Sequence, residues 1–313
     1  MSGTSVQPNF FIAGAPKCGT TAIASYLRTH PNVFISEPKE PTFWASDMPK
    51  LSSQIGINTL ADYERLFANA SGKAAVGEGS TMYLYSENAL PDAYAYNPNA
   101  KFVFAFRCPA EVAHAYHMQM CFYEQENEDN FSTAWQLQDA RLSDDTLIPN
   151  RCLSKKLLQY RYVAALGSQI ERALTIIPRE QVHFVVLDDF AHDPLKCYQD
   201  LLRFLELPDD GRTEFPKQNA AMKAKSRVVT RVLRSRAVRE ITFWAKGKLN
   251  GKAFDFAKQL KNRAMFVNAP RDELDDAFRL ELHRYFEPEV AKLETVLGRS
   301  LATWNNPRAK STN

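Results

Sequence analysis

A chain of 313 residues with 45% hydrophobic and 24% charged side chains is excluded from the disordered class and can bury a sizeable core, as one large α/β domain or two modest ones. No apolar run approaches the roughly 18–20 residues of a membrane span, and with the polar stretch Met1 to Pro8 in front neither a signal peptide nor an anchor is expected, so the expected location is cytoplasmic. The net charge of +3 hides an asymmetry: from Lys225 to Arg263 twelve Lys or Arg stand against Glu240 and Asp255, a balance of +10, which leaves −7 for the remainder. Such a segment suits a polyanionic ligand or a peripheral membrane contact, or it is the solvated face of a helix. The five cysteines, Cys18, Cys108, Cys121, Cys152 and Cys197, are odd in number and lack CxxC spacing. They read as reduced thiols, and no zinc site is expected.

In chain order, Phe10 to Ala13 is an apolar run that reads as a buried parallel strand, and it leads into a glycine loop. Thr20 to Thr29 places Ala22, Ile23, Tyr26 and Leu27 on one face and reads as a helix. Asn32–Ile35 is a second strand, and Lys101–Phe106 a third, stopped by Arg107-Cys108-Pro109. Pro109 suits the first turn of a following helix, with Glu111 well placed against the helix dipole. Glu124 to Asp145 reads as an acidic loop with one short helix near Ala134–Arg141. Val182–Leu187 is a fourth strand, ended by Asp188-Asp189, and a helix over Pro194–Leu205 is expected with Asp193 as its N-cap. Val228–Trp244 has an amphipathic helical pattern, Glu273–Leu297 is helical, and the last residues are expected to fray. Strands alternating with helices predict an α/β fold with a central parallel sheet covered on both faces.

The loop Gly14-Ala15-Pro16-Lys17-Cys18-Gly19-Thr20-Thr21 joins a strand to a helix, where backbone N–H groups and the helix dipole favour an anion. Gly14 and Gly19 have the G-x-x-x-x-G spacing of a Walker loop, which continues with Lys and then Ser or Thr. Here Thr20 occupies the lysine position and Lys17 lies inside the turn. A nucleotide kinase or ATPase therefore loses its phosphate lysine, while the anion cradle survives.

At these residues the chain resembles the sulfotransferases that use 3′-phosphoadenosine 5′-phosphosulfate (PAPS), in particular their bacterial and heparan-sulfate branches. The loop together with Leu27-Arg28-Thr29-His30-Pro31 is similar to the family's 5′-phosphosulfate loop. Lys39-Glu40-Pro41-Thr42-Phe43-Trp44, Gly77-Glu78-Gly79-Ser80-Thr81-Met82-Tyr83-Leu84 and Phe106-Arg107-Cys108-Pro109-Ala110-Glu111 resemble further family segments in the family's order. So does Pro178 to Asp189 with Phe204-Leu205, and the whole spans about residues 9–210.

The resemblance implies a P-loop-like single domain over 1–313, with a nucleotide-binding core at 9–210 and a helical, basic extension at 211–313. It implies PAPS as co-substrate, adenosine 3′,5′-bisphosphate as product and no metal. Pro16, Lys17, Cys18, Gly19, Thr20 and Thr21 would hold the donor, with Lys17 neutralising the leaving phosphate. Glu40 is the candidate general base, and Arg107 the grip on the 3′-phosphate; alternatively, Glu40 is a surface turn residue and Arg107 a structural partner of Glu111.

The chain departs from the family at Ala115, where a serine is normally found, and at Val112, where an arginine is. His114, His117, Lys223, Lys225 or Arg227 are candidates for the missing donor, although His114 and His117 also read as helix-surface residues. Tyr160 and Tyr162 are candidates for adenine contact or for core packing. The acidic residues Glu124, Glu126, Glu128 and Asp129 read as a solvated lid or as a surface that favours a cationic acceptor. The acceptor is expected to be a small molecule or a saccharide, set by loops 39–60 and 121–152 and the basic C-terminal part; no nucleic-acid partner is expected. A non-catalytic protein binding anions or membrane surfaces is the remaining alternative.

Overall fold

Strand β1, Phe10–Gly14, is buried at every position, which is the environment an unbroken apolar run requires. In the computed structural model, which describes residues 6–216, 222–224, 266–268 and 274–305, β1 is the middle of a five-stranded sheet. Its companions are β2 (Val33–Ile35), β3 (Ala75–Glu78), β4 (Lys101–Phe106) and β5 (Val182–Val186), in the order β2-β3-β1-β4-β5. All four ladders are parallel, as the alternation of elements predicts. Phe10, Phe11, Phe102, Phe104 and Phe106 are fully buried, and each contributes on the order of 2–3 kcal/mol of burial.

The strand order also locates the site. From β1 the chain first builds outward to β2, while from β4 it builds to β5 on the other side. The connections therefore diverge between the carboxyl ends of β1 and β4, the place where open parallel sheets form their ligand crevice.

Six helices of eight or more residues occur among the described residues: α1 (Thr20–Arg28), α2 (Ala89–Tyr96), α3 (Pro109–Phe122), α4 (Leu166–Leu174), α5 (Pro194–Phe204) and α6 (Asp276–Leu297). Pro109 opens α3 with Glu111 in its first turn. Asp193 caps α5 by accepting from Lys196 N–H at 3.0 Å. Along α6, Phe278, Leu282, Phe286, Val290 and Leu293 recur on one buried stripe. That helix is tied to α4 where Glu289 accepts from Ser168 N–H at 2.7 Å and from its hydroxyl at 2.6 Å.

Three expectations change. The sheet has a fifth strand, β3, whose four residues carry a glycine and a buried glutamate and so lack an apolar run. Strand β5 stops at Val186, and a six-residue helix, Leu187–His192, starts at once. The acidic stretch carries two short helices, Phe131–Gln136 and Gln138–Ser143, in place of one.

The chain divides into two compact units, Met1–Pro216 with Leu274–Asn313, and Lys217–Glu273. In the second, β6 (Met222–Ala224) pairs antiparallel with β7 (Phe266–Asn268). The helix expected over 228–244 and the basic segment 225–263 lie outside the described residues, as do the last eight residues. Among the described residues no helix is long and apolar enough to cross a membrane.

Candidate active site

The chain leaves β1 at Gly14 and enters α1 at Thr20. Between them Lys17 (φ 64°) and Gly19 (φ 88°) adopt left-handed backbone, a reversal of hand that turns successive N–H groups toward one side. Glycine is required at 19, because a Cβ there would also sit 2.7 Å from Leu187 Cδ1. Lys17 has no such freedom, and its conformation costs on the order of 1 kcal/mol, the kind of local strain that collects at functional loops. Pro16, Cys18 and Thr20 are buried, whereas Lys17 and Thr21 are exposed. The N-terminus of α1 has no side-chain cap and no acid in its first turn, so its amide donors and dipole are open to an anion.

The Cys18 thiol is fully buried, which favours its neutral form. Burial pushes it up to about 12, only partly offset by the nearby Arg107 charge, and its Sγ–H points to Pro16 O at 3.4 Å.

That influence of Arg107 places it against the loop, at the end of β4 beside β1. It is buried and its Nε donates to Glu111 Oε2 at 2.7 Å, with Nη2 bonded to the same oxygen. The structural ion pair is therefore present. The pair uses only part of a guanidinium with five N–H groups.

Around Ala115 the helix differs from expectation. His114 and His117 are not surface residues: both are buried and both stack on Phe131, at 5.5 and 4.9 Å between ring centroids. Helix α3 has little polar face, since Val112, Ala113, Ala115 and Tyr116 are buried as well. His117 Nε2 lies 2.8 Å from Glu128 O, and burial lowers its pKa. Lys225 and Arg227 lie outside the described residues.

The expected acidic lid is corrected at Glu126, while Glu124 and Glu128 are half-buried and Asp129 is exposed. Glu126 is 3% exposed and accepts from Arg141 at 2.6 and 2.8 Å and from the Tyr160 hydroxyl at 2.6 Å. Burial alone would raise its carboxyl, but these bonds outweigh it and hold the group below the usual range. Tyr160 is thus a core residue, whereas Tyr162 is exposed.

Glu40 follows β2, on a loop laid against the turn that follows β3. Gly79 N–H donates to Lys39 O at 2.9 Å, Lys39 Nζ returns to Gly79 O at 3.1 Å, and Thr42 N–H donates to Ser80 Oγ at 2.8 Å. Glycine at 79 lets the lysine lie close, since a Cβ would stand 3.1 Å from Lys39 Cε. The Glu40 carboxylate is exposed, bound at Oε1 by Lys39 Nζ at 2.9 Å and at Oε2 by the Thr81 hydroxyl at 3.3 Å. Its charge reaches Tyr116 on α3, whose buried hydroxyl has no hydrogen-bond partner among the described residues and is raised mainly by burial. Lys39, Thr81, Tyr116 and Glu78 were assigned no role from the sequence. Lys39, Glu78 and Thr81 are signalled only by their places in the quoted motifs, and Tyr116 by nothing.

Glu78, the last residue of β3, is fully buried. Burial pushes its carboxyl up to about 7 against hydrogen bonds from Ser80 and Tyr83 and the charge of Lys39. Tyr63 donates to Oε1 at 3.4 Å.

The structure thus brings a lysine-bearing loop and a buried arginine to adjoining strand ends, and leaves an exposed carboxylate on the loop after β2. A model of the sulfotransferase domain family matches residues 7–278. The chain belongs to that family. Over 208 residues this sulfotransferase-family chain is 26% identical to the bifunctional heparan sulfate N-deacetylase/N-sulfotransferase 1 of Caenorhabditis briggsae, covering 64% of the chain and 23% of that protein. It is 24% identical over 251 residues to carbohydrate sulfotransferase 15 of Mus musculus, covering 64% and 44%. The chain thus spans less than half the length of these curated relatives. The crystal structure of a sulfotransferase from Alicyclobacillus acidocaldarius superposes with a TM-score of 0.69 at 25% identity, covering 96% of this chain and all of that one. The family and the parallel α/β fold expected from the motifs are both borne out.

Proposed function

We propose that this chain transfers a sulfuryl group from PAPS to a hydroxyl or amine of a carbohydrate or other small acceptor. The observation that carries the reading is the meeting of the Lys17 loop and Arg107 at adjacent strand ends. The loop offers uncapped amide donors and a cation, which suits the 5′-phosphosulfate, and Arg107 retains donors beyond its pair with Glu111, which suits the 3′-phosphate. In the transfer, the acceptor oxygen or nitrogen bonds to sulfur as the bond from sulfur to the bridging oxygen breaks. That oxygen departs on adenosine 3′,5′-bisphosphate. Lys17, with the amides and hydroxyls of Thr20 and Thr21, balances the charge that grows there, and Glu40 takes the acceptor proton. The saccharide names of the relatives support a carbohydrate acceptor.

The test is transfer of labelled sulfate from PAPS to desulfated heparan sulfate, which offers both hydroxyls and amines, together with calorimetric binding of adenosine 3′,5′-bisphosphate. Lys17→Ala is expected to lower kcat by about 10²–10³-fold. A wild-type chain that binds no adenosine bisphosphate overturns the reading.

A further inference from the structure

Glu78 is the one carboxyl of the β3 end that the proposed reaction leaves without a task, although it is fully buried and its Oε2 has no hydrogen-bond partner among the described residues. Its neighbours explain what it does. The hydroxyls of Ser80 and Tyr83 lie against its carboxyl and stabilise its charged form, while Tyr63 donates to its Oε1 at 3.4 Å. The same two oxygens accept the backbone N–H groups of the opposite loop, Ser80 Oγ from Thr42 at 2.8 Å and Tyr83 OH from Trp44 at 3.4 Å. A hydroxyl has a single proton, so donating to the carboxyl turns its lone pairs toward the incoming N–H groups.

Thr42 and Trp44 stand just beyond Glu40, and Thr42 is itself held in left-handed backbone at φ 50°. A non-glycine residue rests there only when its surroundings over-determine it. On the near side, the Thr81 hydroxyl grips Glu40 Oε2 from the same turn. We propose that Glu78 is a positioning residue: through Ser80 and Tyr83 it fixes the loop after β2 to the turn after β3, and so sets where the Glu40 carboxylate stands. The proposal rests on Glu40 being the base.

The test combines Glu78→Gln, Ser80→Ala and the double variant, measured with PAPS and desulfated heparan sulfate. An amide at 78 can accept through only one oxygen, so each single variant is expected to lose about 10–100-fold in kcat. The KM for PAPS and the affinity for adenosine 3′,5′-bisphosphate should hold within about twofold, and the double variant should fall no further than the worse single. Amide hydrogen exchange supplies an activity-free readout. In Glu78→Gln the Thr42 and Trp44 amides should exchange about tenfold faster while those of β1 and β4 do not change.

A merely structural glutamate would lower the melting temperature and leave kcat per folded molecule intact, with additive effects in the double variant; that outcome overturns the proposal. Unchanged exchange at Thr42 and Trp44 overturns it as well. If the wild type transfers sulfate but Glu40→Gln does too, the base assignment fails and this inference with it. If Glu40→Gln is inactive and Glu78→Gln is not, the inference alone fails. Should Glu78→Gln not fold, Tyr83→Phe and Ser80→Ala read the same two links from the other end.

Discussion

Two polar segments, 36–44 and 124–129, carry acids next to aromatic residues and look alike as sequence, yet the fold uses them in opposite ways. Glu40 stays exposed, held at both oxygens by Lys39 and Thr81. Glu126 is taken into the core and matched by Arg141 and Tyr160. The difference lies in what the surroundings offer. A buried carboxylate needs a full set of donors and is then immobile, whereas one at a loop surface keeps access to an incoming group. Glu78 is intermediate: buried like Glu126 but with hydroxyls in place of a guanidinium, and so pushed up to about 7 by burial.

The sharpest test of this contrast is Glu40→Ala. Sulfate transfer should fall by about 10²–10⁴-fold, with adenosine bisphosphate affinity and melting temperature unchanged; lost donor binding would erase the distinction between the segments. Glu126→Ala should do the reverse. It strands Arg141, which is 1% exposed, and is expected to cost about 3–5 kcal/mol in urea unfolding, while the folded fraction binds the donor with wild-type affinity.

The two buried carboxyls should also pull stability in opposite directions with pH. The folded-state pKa of Glu78 is raised from 4.5 to about 7. Its contribution is therefore complete below 4.5 and lost as pH rises through about 7, by up to about 3 kcal/mol. Glu126 is held below the same ordinary value, so its contribution is present above that value and lost as pH falls through the folded pKa. Urea midpoints across this range should show Glu78→Gln removing the decline on the neutral side and Glu126→Gln flattening the acid side. The smallest effect belongs to Lys155→Ala. Its pair with Asp145 has side chains 43% and 82% exposed, and its loss should lower the unfolding free energy from urea titration by less than about 1 kcal/mol.

What the sequence shows of this molecule follows the range of the forces involved. Phe10–Ala13 and Lys101–Phe106 are legible because a strand covered on both faces must be apolar throughout, and Asp193 because a cap acts over three residues. The Gly14–Thr21 loop is legible for the same reason, since its turn, cradle and helix start are contiguous. Strand β3 is not, because Glu78 is paid for by Tyr63, Ser80 and Tyr83 and no local pattern announces that. Glu126 was misread because its partner Arg141 is fifteen residues away, and His114 and His117 because the Phe131 ring that buries them lies on another helix.

One feature of the tail bears on how the protein is made. Trp304 carbonyl oxygen lies 3.6 Å from Cys108 Sγ, beside Arg107, across 196 residues of sequence, and its indole N–H donates to Asp188 at 2.6 Å. At a synthesis rate of about 5–20 residues per second, the carboxyl end of β4 waits roughly 10–40 s on the ribosome for this cover. The loop between β1 and α1 is made well before this cover, and the wall behind the neighbouring arginine closes only once Trp304 has been added. Nascent chains of this protein therefore stand for that interval as a partly covered sheet, and are the form a chaperone would meet.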